Sequence, residues 1–189
     1  MRENKLREII YRDCGEEEYL KYSSAIGISV HDLSEAASRT LASIPPTFGS
    51  CVMVSAALAA ALEVYYSIPA IVVAGDLKIN GFDVFKCKNN IPMPTREERT
   101  TSETWDGHCW VETDGIICDL SIFRTAYAME HPSRLKSFIL SKYGEGKGAL
   151  LSPLNDIPQG MEFTPKYVLN EARISGVLGG LDALSKQAI

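Results

Sequence analysis

The 189-residue sequence lacks several patterns that would assign it directly to a class. It has no CxxC pair, which argues against a zinc knuckle. Its five cysteines are an odd number, which argues against a disulfide framework. It has no block of basic residues, and 19 basic against 24 acidic residues give a formal net charge of −5. Nucleic acid is therefore not expected as a partner, because phosphate binding needs clustered Lys and Arg.

Long hydrophobic runs are also missing. The longest weakly polar run, residues 51–62, is too short to span a bilayer. Residues 1–7 are charged and lead into no long apolar region, so we expect no secretory signal, no membrane partner and a cytoplasmic location.

The composition is ordinary for a globular protein, with 46% hydrophobic and 23% charged residues. We predict one domain over residues 1–189. Its core is expected at about 45–125, with helical additions at 1–44 and 126–189.

Several elements can be predicted along the first half of the chain. Residues 3–24 and 32–43 have helical character, and Asp32 with Glu35 predicts a capping box for the second helix. Residues 51–65 are apolar on nearly all sides, which predicts a buried helix with Ser50 as its N-cap. Strands are predicted at 70–74, ended by Gly75-Asp76, and at 82–86. Residues 88–106 are predicted to form a long loop, and its position just before His108 predicts that it covers the region around that residue.

The second half begins with a predicted hairpin, in which residues 108–113 pair with 116–119 across an Asp114-Gly115 turn. Helices follow at 122–130 and 133–142. Residues 149–165 carry three prolines and little periodicity. Residues 166–186 are predicted to be helical, with interruptions at Gly176 and at Gly179-Gly180.

Three residues in these elements suit a cysteine-based catalytic triad. Cys51 opens the buried helix, where unpaired backbone N–H groups and the helix dipole favour an anion such as a thiolate. His108 opens a strand and would act as the acid and base, and Asp119 would orient its ring. Amides at the helix start, from Ser50 onward, would bind the developing oxyanion.

The hairpin register supports the pairing of His108 with Asp119. The numbers of two paired residues add up to 229, so His108 lies opposite position 121. Asp119 is two residues before that position, so it projects on the same face as His108, one diagonal step away. Trp110 and Glu112 share this face. Trp110 is expected to shield the site from water, and Glu112 to end the strand towards solvent. Cys109 and Cys118 point to the other face and are expected in the core.

Each residue also has a structural explanation. Cys51 could simply pack at the start of an apolar helix, and His108 could be an edge residue. Asp119 precedes a predicted helix and could serve as its N-cap. A metal site built from Cys51, His108, Cys109, Cys118 and Asp119 is disfavoured, because neighbours on a strand point in opposite directions.

The surroundings of the three residues resemble the transglutaminase-like, papain-related superfamily of cysteine enzymes. Gly49-Ser50-Cys51 matches a Gly-x-Cys element that opens an apolar helix. Residues 67–71 are similar to a Gly-Ile-Pro-Ala-Arg element, with Ser67 in place of the glycine and Ile71 in place of the arginine. His108-Cys109-Trp110-Val111-Glu112 matches a His-Ala-Trp-Val-Glu strand apart from Cys109, and Asp119 matches the aspartate that ends the next strand.

The resemblance covers residues 49–120 and implies an α+β fold, with the nucleophile helix packed on an antiparallel sheet. It implies acyl chemistry through a thioester intermediate, without metal or organic cofactor, and we expect this to be the hydrolysis of a peptide, protein or small amide. Two alternatives stay open at this point: acyl transfer to an amine on the same site, and a protein-interaction module with little or no catalysis.

Overall fold

The computed structural model describes residues 2–45, 50–91 and 105–187, with side chains up to residue 180. These ranges form an α+β fold. The helices are α1 (Arg2–Asp13), α2 (Glu16–Ser23), α3 (Val30–Ser43), α4 (Cys51–Tyr66), α5 (Ile122–Ala128), α6 (Arg134–Tyr143) and α7 (Glu171–Gln187). The strands are β1 (Ile71–Ile79), β2 (Phe82–Phe85), β3 (His108–Thr113), β4 (Ile116–Asp119), β5 (Leu150–Pro153) and β6 (Met161–Val168), and a 3₁₀ turn spans Leu154–Asp156.

Helix α3 is the first place where a predicted cap is wrong. The helix begins at Val30, and the Ser29 side chain accepts a hydrogen bond from the Asp32 amide. Asp32 therefore lies in the first turn, where the positive end of the helix dipole stabilises a carboxylate. The Ser29 hydroxyl thus accepts from the Asp32 amide, which the predicted capping box pairs with the Glu35 side chain.

Helix α4 is buried along most of its length, as its sequence predicts. Ser50 is the N-cap residue, as predicted, but its side chain makes no capping hydrogen bond. At the other end Ser67 adopts the left-handed conformation, with φ 54° and ψ 34°. That conformation suits glycine, and a side chain adds strain there.

Strand β1 is the centre of the sheet and is longer than predicted, because Gly75-Asp76 lies inside it. A Cβ at Gly75 would stand 2.1 Å from the Thr164 carbonyl oxygen and 2.9 Å from the Trp110 ring. The glycine is therefore required for the close approach of β6, and the β1–β6 register shifts between Ala74 and Gly75.

All strand pairs are antiparallel, and the two edges of β1 are used differently. One edge pairs with β6 from Val73 to Ile79. The other edge pairs with β3 from Ile71 to Gly75 and then with β2 from Leu77 to Ile79. Strands β2 and β3 thus share one edge of β1, and β3 begins with His108 opposite Gly75. Beyond β3 the sheet continues through β4 to β5.

The predicted hairpin is confirmed in both extent and register. Thr113 lies opposite Ile116 and Val111 opposite Cys118. Asp114 and Gly115 have φ values of 47° and 69°, as a turn with two positive φ angles requires.

The C-terminal region differs most from its prediction as a helical addition. Residues 149–165 contain β5 and the start of β6, and β6 continues to Val168, where a helix was predicted. Pro165 lies in β6 beside the register shift at Gly75, a position where a strand tolerates proline. Helix α7 starts at Glu171 and runs through the predicted interruptions at Gly176 and Gly179-Gly180.

Two hydrophobic clusters pack on opposite faces of the sheet. Helices α3 and α4 cover the face of Val72, Cys109 and Val111. Helices α1, α5 and α6 cover the opposite face, where Trp110 and Phe163 lie. None of the helices in the described residues is long and apolar enough to cross a membrane.

Candidate active site

The three predicted triad residues lie on three different elements. Cys51 opens α4, His108 opens β3 and Asp119 ends β4. Helix α4 packs against β3, and β3 pairs with β4. The fold therefore brings together residues that are 57 and 11 positions apart in the sequence. Gly49, the first residue of the Gly-Ser-Cys pattern, lies outside the described residues, as do residues 92–104 of the predicted covering loop.

His108 and Asp119 form a fully buried pair. His108 Nε2 lies 2.6 Å from Asp119 Oδ2, and the two side chains are 1% and 0% exposed. At this distance the ring N–H donates a short, charge-assisted hydrogen bond to the carboxylate.

The second carboxylate oxygen of Asp119 holds the start of α5. Asp119 Oδ1 accepts hydrogen bonds from the Ser121 amide, the Ser121 hydroxyl and the Ile122 amide, each at 3.0 Å. The residue thus anchors a helix with one oxygen and orients His108 with the other. The structural and functional interpretations of Asp119 are therefore compatible, and the anchored helix fixes the carboxylate in front of the ring.

Cys51 meets the same imidazole. Its thiol lies near enough to the His108 ring to contribute to the raised pKa of that ring, while Nε2 of the ring is occupied by Asp119. Burial is the largest influence on His108 and lowers its pKa, but the charge and hydrogen bond of Asp119, together with Cys51, outweigh burial. The pKa of His108 is raised to about 10, so the ring is an imidazolium at neutral pH.

Aromatic rings enclose His108. Phe85 stacks on it with a centroid distance of 5.1 Å and an interplanar angle of 13°. The centroids of Trp110 and Phe163 lie 6.1 Å and 6.2 Å away. The fully buried Trp110 is where the strand pattern predicts it. Nothing in the sequence indicates Phe85 and Phe163, because they reach the ring only through the strand pairings of β1.

Glu112 corrects another prediction, since it is 2% exposed rather than solvent-facing. Its Oε1 accepts a hydrogen bond of 2.7 Å from Trp110 Nε1. Arg2 on α1 pairs with both Glu112 oxygens, at 2.5 Å and 3.1 Å. A buried carboxylate needs such partners. The N-terminal helix thereby helps to fix Trp110, and Trp110 packs near His108.

The other cysteines of this region serve the core. Cys109 and Cys118 are buried on the α4 face, as their strand parity predicts. Burial raises the pKa of Cys109, and the proximity of Cys51 raises it further. Burial also raises the pKa of Cys118 to about 12. Both thiols are therefore protonated at neutral pH.

Ser50, the predicted oxyanion contributor, is 3% exposed. Because its side chain does not cap α4, it does not compete for the first amides of that helix, which include the Cys51 amide. These amides lie beside the thiol and are of the type that stabilises a developing oxyanion.

Within the described residues, no group of three or more His, Cys, Asp or Glu side chains is arranged to hold a metal ion. Cys109 is buried on the α4 face of the sheet, whereas the ring of its neighbour His108 lies near Trp110 and Phe163, which belong to the opposite face.

Comparisons with known proteins add little to this geometry. No protein-family model matches the chain, and no curated protein matches it. Among solved structures, the crystal structure of a genomics target is similar, with a TM-score of 0.43 and 17% identity. The match covers 74% of this chain and 66% of the other, so it spans slightly less than two thirds of that protein's length. A TM-score at this level does not establish a shared fold.

Proposed function

We propose that this protein is a cysteine-dependent amide hydrolase or peptidase of the transglutaminase-like, papain-related type. The observation that carries the proposal is one buried imidazole that is hydrogen-bonded to Asp119 at 2.6 Å and whose pKa the nearby Cys51 thiol helps to raise. The substrate is a peptide, a protein segment or a small amide. The five free thiols suit a reducing compartment such as the cytoplasm.

In the first step the Cys51 thiolate attacks the carbonyl carbon of the amide, and amides at the start of α4 stabilise the oxyanion. The His108 imidazolium then donates its proton to the leaving amine as the C–N bond breaks. A thioester on Cys51 and a free amine result. The raised pKa of His108 supplies this proton at neutral pH.

In the second step the neutral His108 accepts a proton from water, and the hydroxide attacks the thioester. The C–S bond breaks, the acid is released, and the thiolate–imidazolium pair is restored. An amine in place of water would give acyl transfer, with the same residues in the same roles.

The first test is cysteine labelling, because exposure and activation predict opposite orders of reactivity. Cys51 is 9% exposed, whereas Cys14 and Cys87 are partly exposed. Burial raises the pKa of both Cys14 and Cys87 to about 11. If Cys51 is an activated thiolate, iodoacetamide at pH 6.5–7 modifies it before the two more exposed thiols, as located by peptide mass spectrometry.

His108→Ala should abolish this preference, while Cys14→Ser should leave it unchanged. Labelling of Cys14 and Cys87 ahead of Cys51 in the wild type would contradict the proposal. Amine release from a panel of peptide amides and thioesters, lost in Cys51→Ala and retained in Cys14→Ser, then tests the reaction itself. Adding a primary amine and identifying the products by mass spectrometry separates hydrolysis from transfer.

A further inference from the structure

A basic cleft of about 500 Å³ lies between α1, β6, the start of α7 and the segment after β2. Its charged lining residues are Arg12, Lys88, Lys166, Arg173 and Asp13. With Asp76 and Asp106, which pair with two of these cations, four cations and three carboxylates leave a formal charge of +1, whereas the whole chain carries −5. The cleft is therefore a net positive place on an acidic protein, as suits a site for an anion.

Three of the four cations are held by carboxylates. Arg12 Nε lies 2.7 Å from Asp13, and Lys166 Nζ lies 3.1 Å from Asp76. Lys88 Nζ lies 3.1 Å from Asp106. These pairs position the cations along the cleft, and each cation keeps further N–H groups for a ligand.

Arg173 differs from the other three. Its Nε atom is buried and has no hydrogen-bond partner among the described residues. The guanidinium lies 5.9 Å from the centre of the Tyr167 ring, which also lines the cleft. A buried N–H group without a partner is costly, so this group needs an acceptor such as the oxygen of an anion or of a water molecule. A planar guanidinium is well suited to carboxylate and phosphate oxygens.

The cleft is close to the proposed catalytic residues. Asp76 follows Gly75, which pairs with His108. The same Asp76 side chain holds two residues of the cleft wall, by accepting from the Cys87 amide at 2.9 Å and from Lys166. Cys87 is two residues from Phe85, whose ring stacks on His108. Two residues of chain span at most roughly 7 Å, so the cleft wall at Cys87 is a short distance along the chain from the ring that stacks on His108.

We propose that this cleft binds an oxyanion group of the substrate, a carboxylate or a phosphate, with Arg173 as its principal contact and Lys166 as a second. That the bound anion belongs to a substrate rests on the proposed function, but the binding of the anion does not depend on catalysis. The substrates of the enzyme are then acidic peptides or amides that carry an anionic group a short distance from the scissile bond.

Binding is tested on the full chain with Cys51→Ser, so that no turnover intervenes. The probes are N-acetyl-aspartate and inorganic phosphate, titrated at constant ionic strength, and the readout is the Nε–H signal of Arg173 in ¹⁵N–¹H spectra. We expect a saturable shift of this signal, and the probe that binds more tightly identifies the oxyanion. Arg173→Gln should weaken binding roughly 10-fold or more, as expected for loss of a charge-assisted hydrogen bond. Lys166→Gln should weaken it by a smaller factor.

The matched control is Arg39→Gln, which removes an equal charge from exposed α3, where Arg39 pairs with Glu35. It should leave the affinity unchanged. If neither probe shifts the Arg173 signal, or if Arg39→Gln weakens binding as much as Arg173→Gln, the cleft proposal is wrong. Thermal unfolding of each variant shows whether it is folded. If Arg173→Gln is not folded, Lys166→Gln provides the test.

Turnover separates this proposal from the function on which it rests. In the active protein, Arg173→Gln should raise KM for a peptide amide bearing aspartate and leave KM unchanged for the asparagine analogue. Saturable anion binding without any amide cleavage would refute the proposed function and retain the cleft. Cleavage with no preference for the acidic peptide would refute the role of the cleft and retain the function.

Discussion

Asp119 allows a quantitative test, because its two oxygens have separate tasks that two substitutions can separate. Asparagine keeps one carbonyl oxygen. Three donors surround the position of Oδ1, namely the Ser121 amide, the Ser121 hydroxyl and the Ile122 amide. They orient the amide so that its oxygen replaces Oδ1 and its NH₂ group faces His108. Asp119→Asn therefore keeps the anchor of α5 and loses the charged pair with the ring.

The expected magnitudes follow from these bonds. Loss of the charge-assisted hydrogen bond to His108 should lower the free energy of unfolding by about 1.5–3 kcal/mol. Asp119→Ala also removes three acceptor contacts, each worth about 1 kcal/mol, so it should cost about 3 kcal/mol more. The difference is to be measured by urea unfolding at pH 7, followed by circular dichroism. Labelling of Cys51 should fall in both variants, because neither holds the imidazolium.

The two substitutions would refute the reasoning in different ways. Equal destabilisation by Asp119→Asn and Asp119→Ala would show that the anchor of α5 contributes nothing. Unchanged Cys51 labelling in Asp119→Asn would show that the Asp119–His108 pair does not activate the thiol.

Three further predictions concern pH and backbone geometry. The pKa of His108 in the folded protein is raised from 6.5 to about 10, so its stabilising effect should be complete below pH 6.5 and be lost as the pH rises towards 10. NMR of the ring nitrogens should show both of them protonated at pH 8. A titration of the ring near pH 6.5 would contradict this prediction. Ser67→Gly should raise the free energy of unfolding by about 0.5–1 kcal/mol, because φ is 54° at this position, whereas Ser67→Ala should bring no gain in the same urea titration. Gly75→Ala should lower that free energy by about 3 kcal/mol or more, because its Cβ would stand 2.1 Å from the Thr164 carbonyl oxygen; Gly148→Ala is the control, since its nearest contact would be an ordinary 3.5 Å.

Local patterns in the sequence predict the parts of the site that depend on local structure. The apolar run after Ser50 predicts α4, and the Asp114-Gly115 turn predicts the register that places His108 and Asp119 on one face. Strand parity likewise predicts the orientations of Trp110 and the core position of Cys109. Each of these depends on residues that are neighbours in the chain.

The parts that could not be predicted depend on pairings between distant segments. Strand β6 contains Pro165 and lacks a clear signal, yet it pairs with β1 and brings Phe163 to the His108 ring. The sequence predicts Glu112 as a polar strand end, because its partner Arg2 lies 110 residues away in the chain. A single sequence contains no local signal for such partners. The catalytic role of the triad and its superfamily remain predictions that the labelling experiment addresses.

The shared edge of β1 has a consequence for how proteins of this architecture could diversify. The chain leaves the sheet after β2 and returns at β3, and both ends of this excursion are fixed to the same strand. The ends are also tied to each other, by the Lys86 amide on the Asp106 carbonyl and by Trp105 Nε1 on the Asn89 carbonyl. Residues inserted or deleted between Asn89 and Trp105 would leave the register of β3 unaltered. Evolution or design could therefore exchange whole segments there without moving His108 from its place in the sheet.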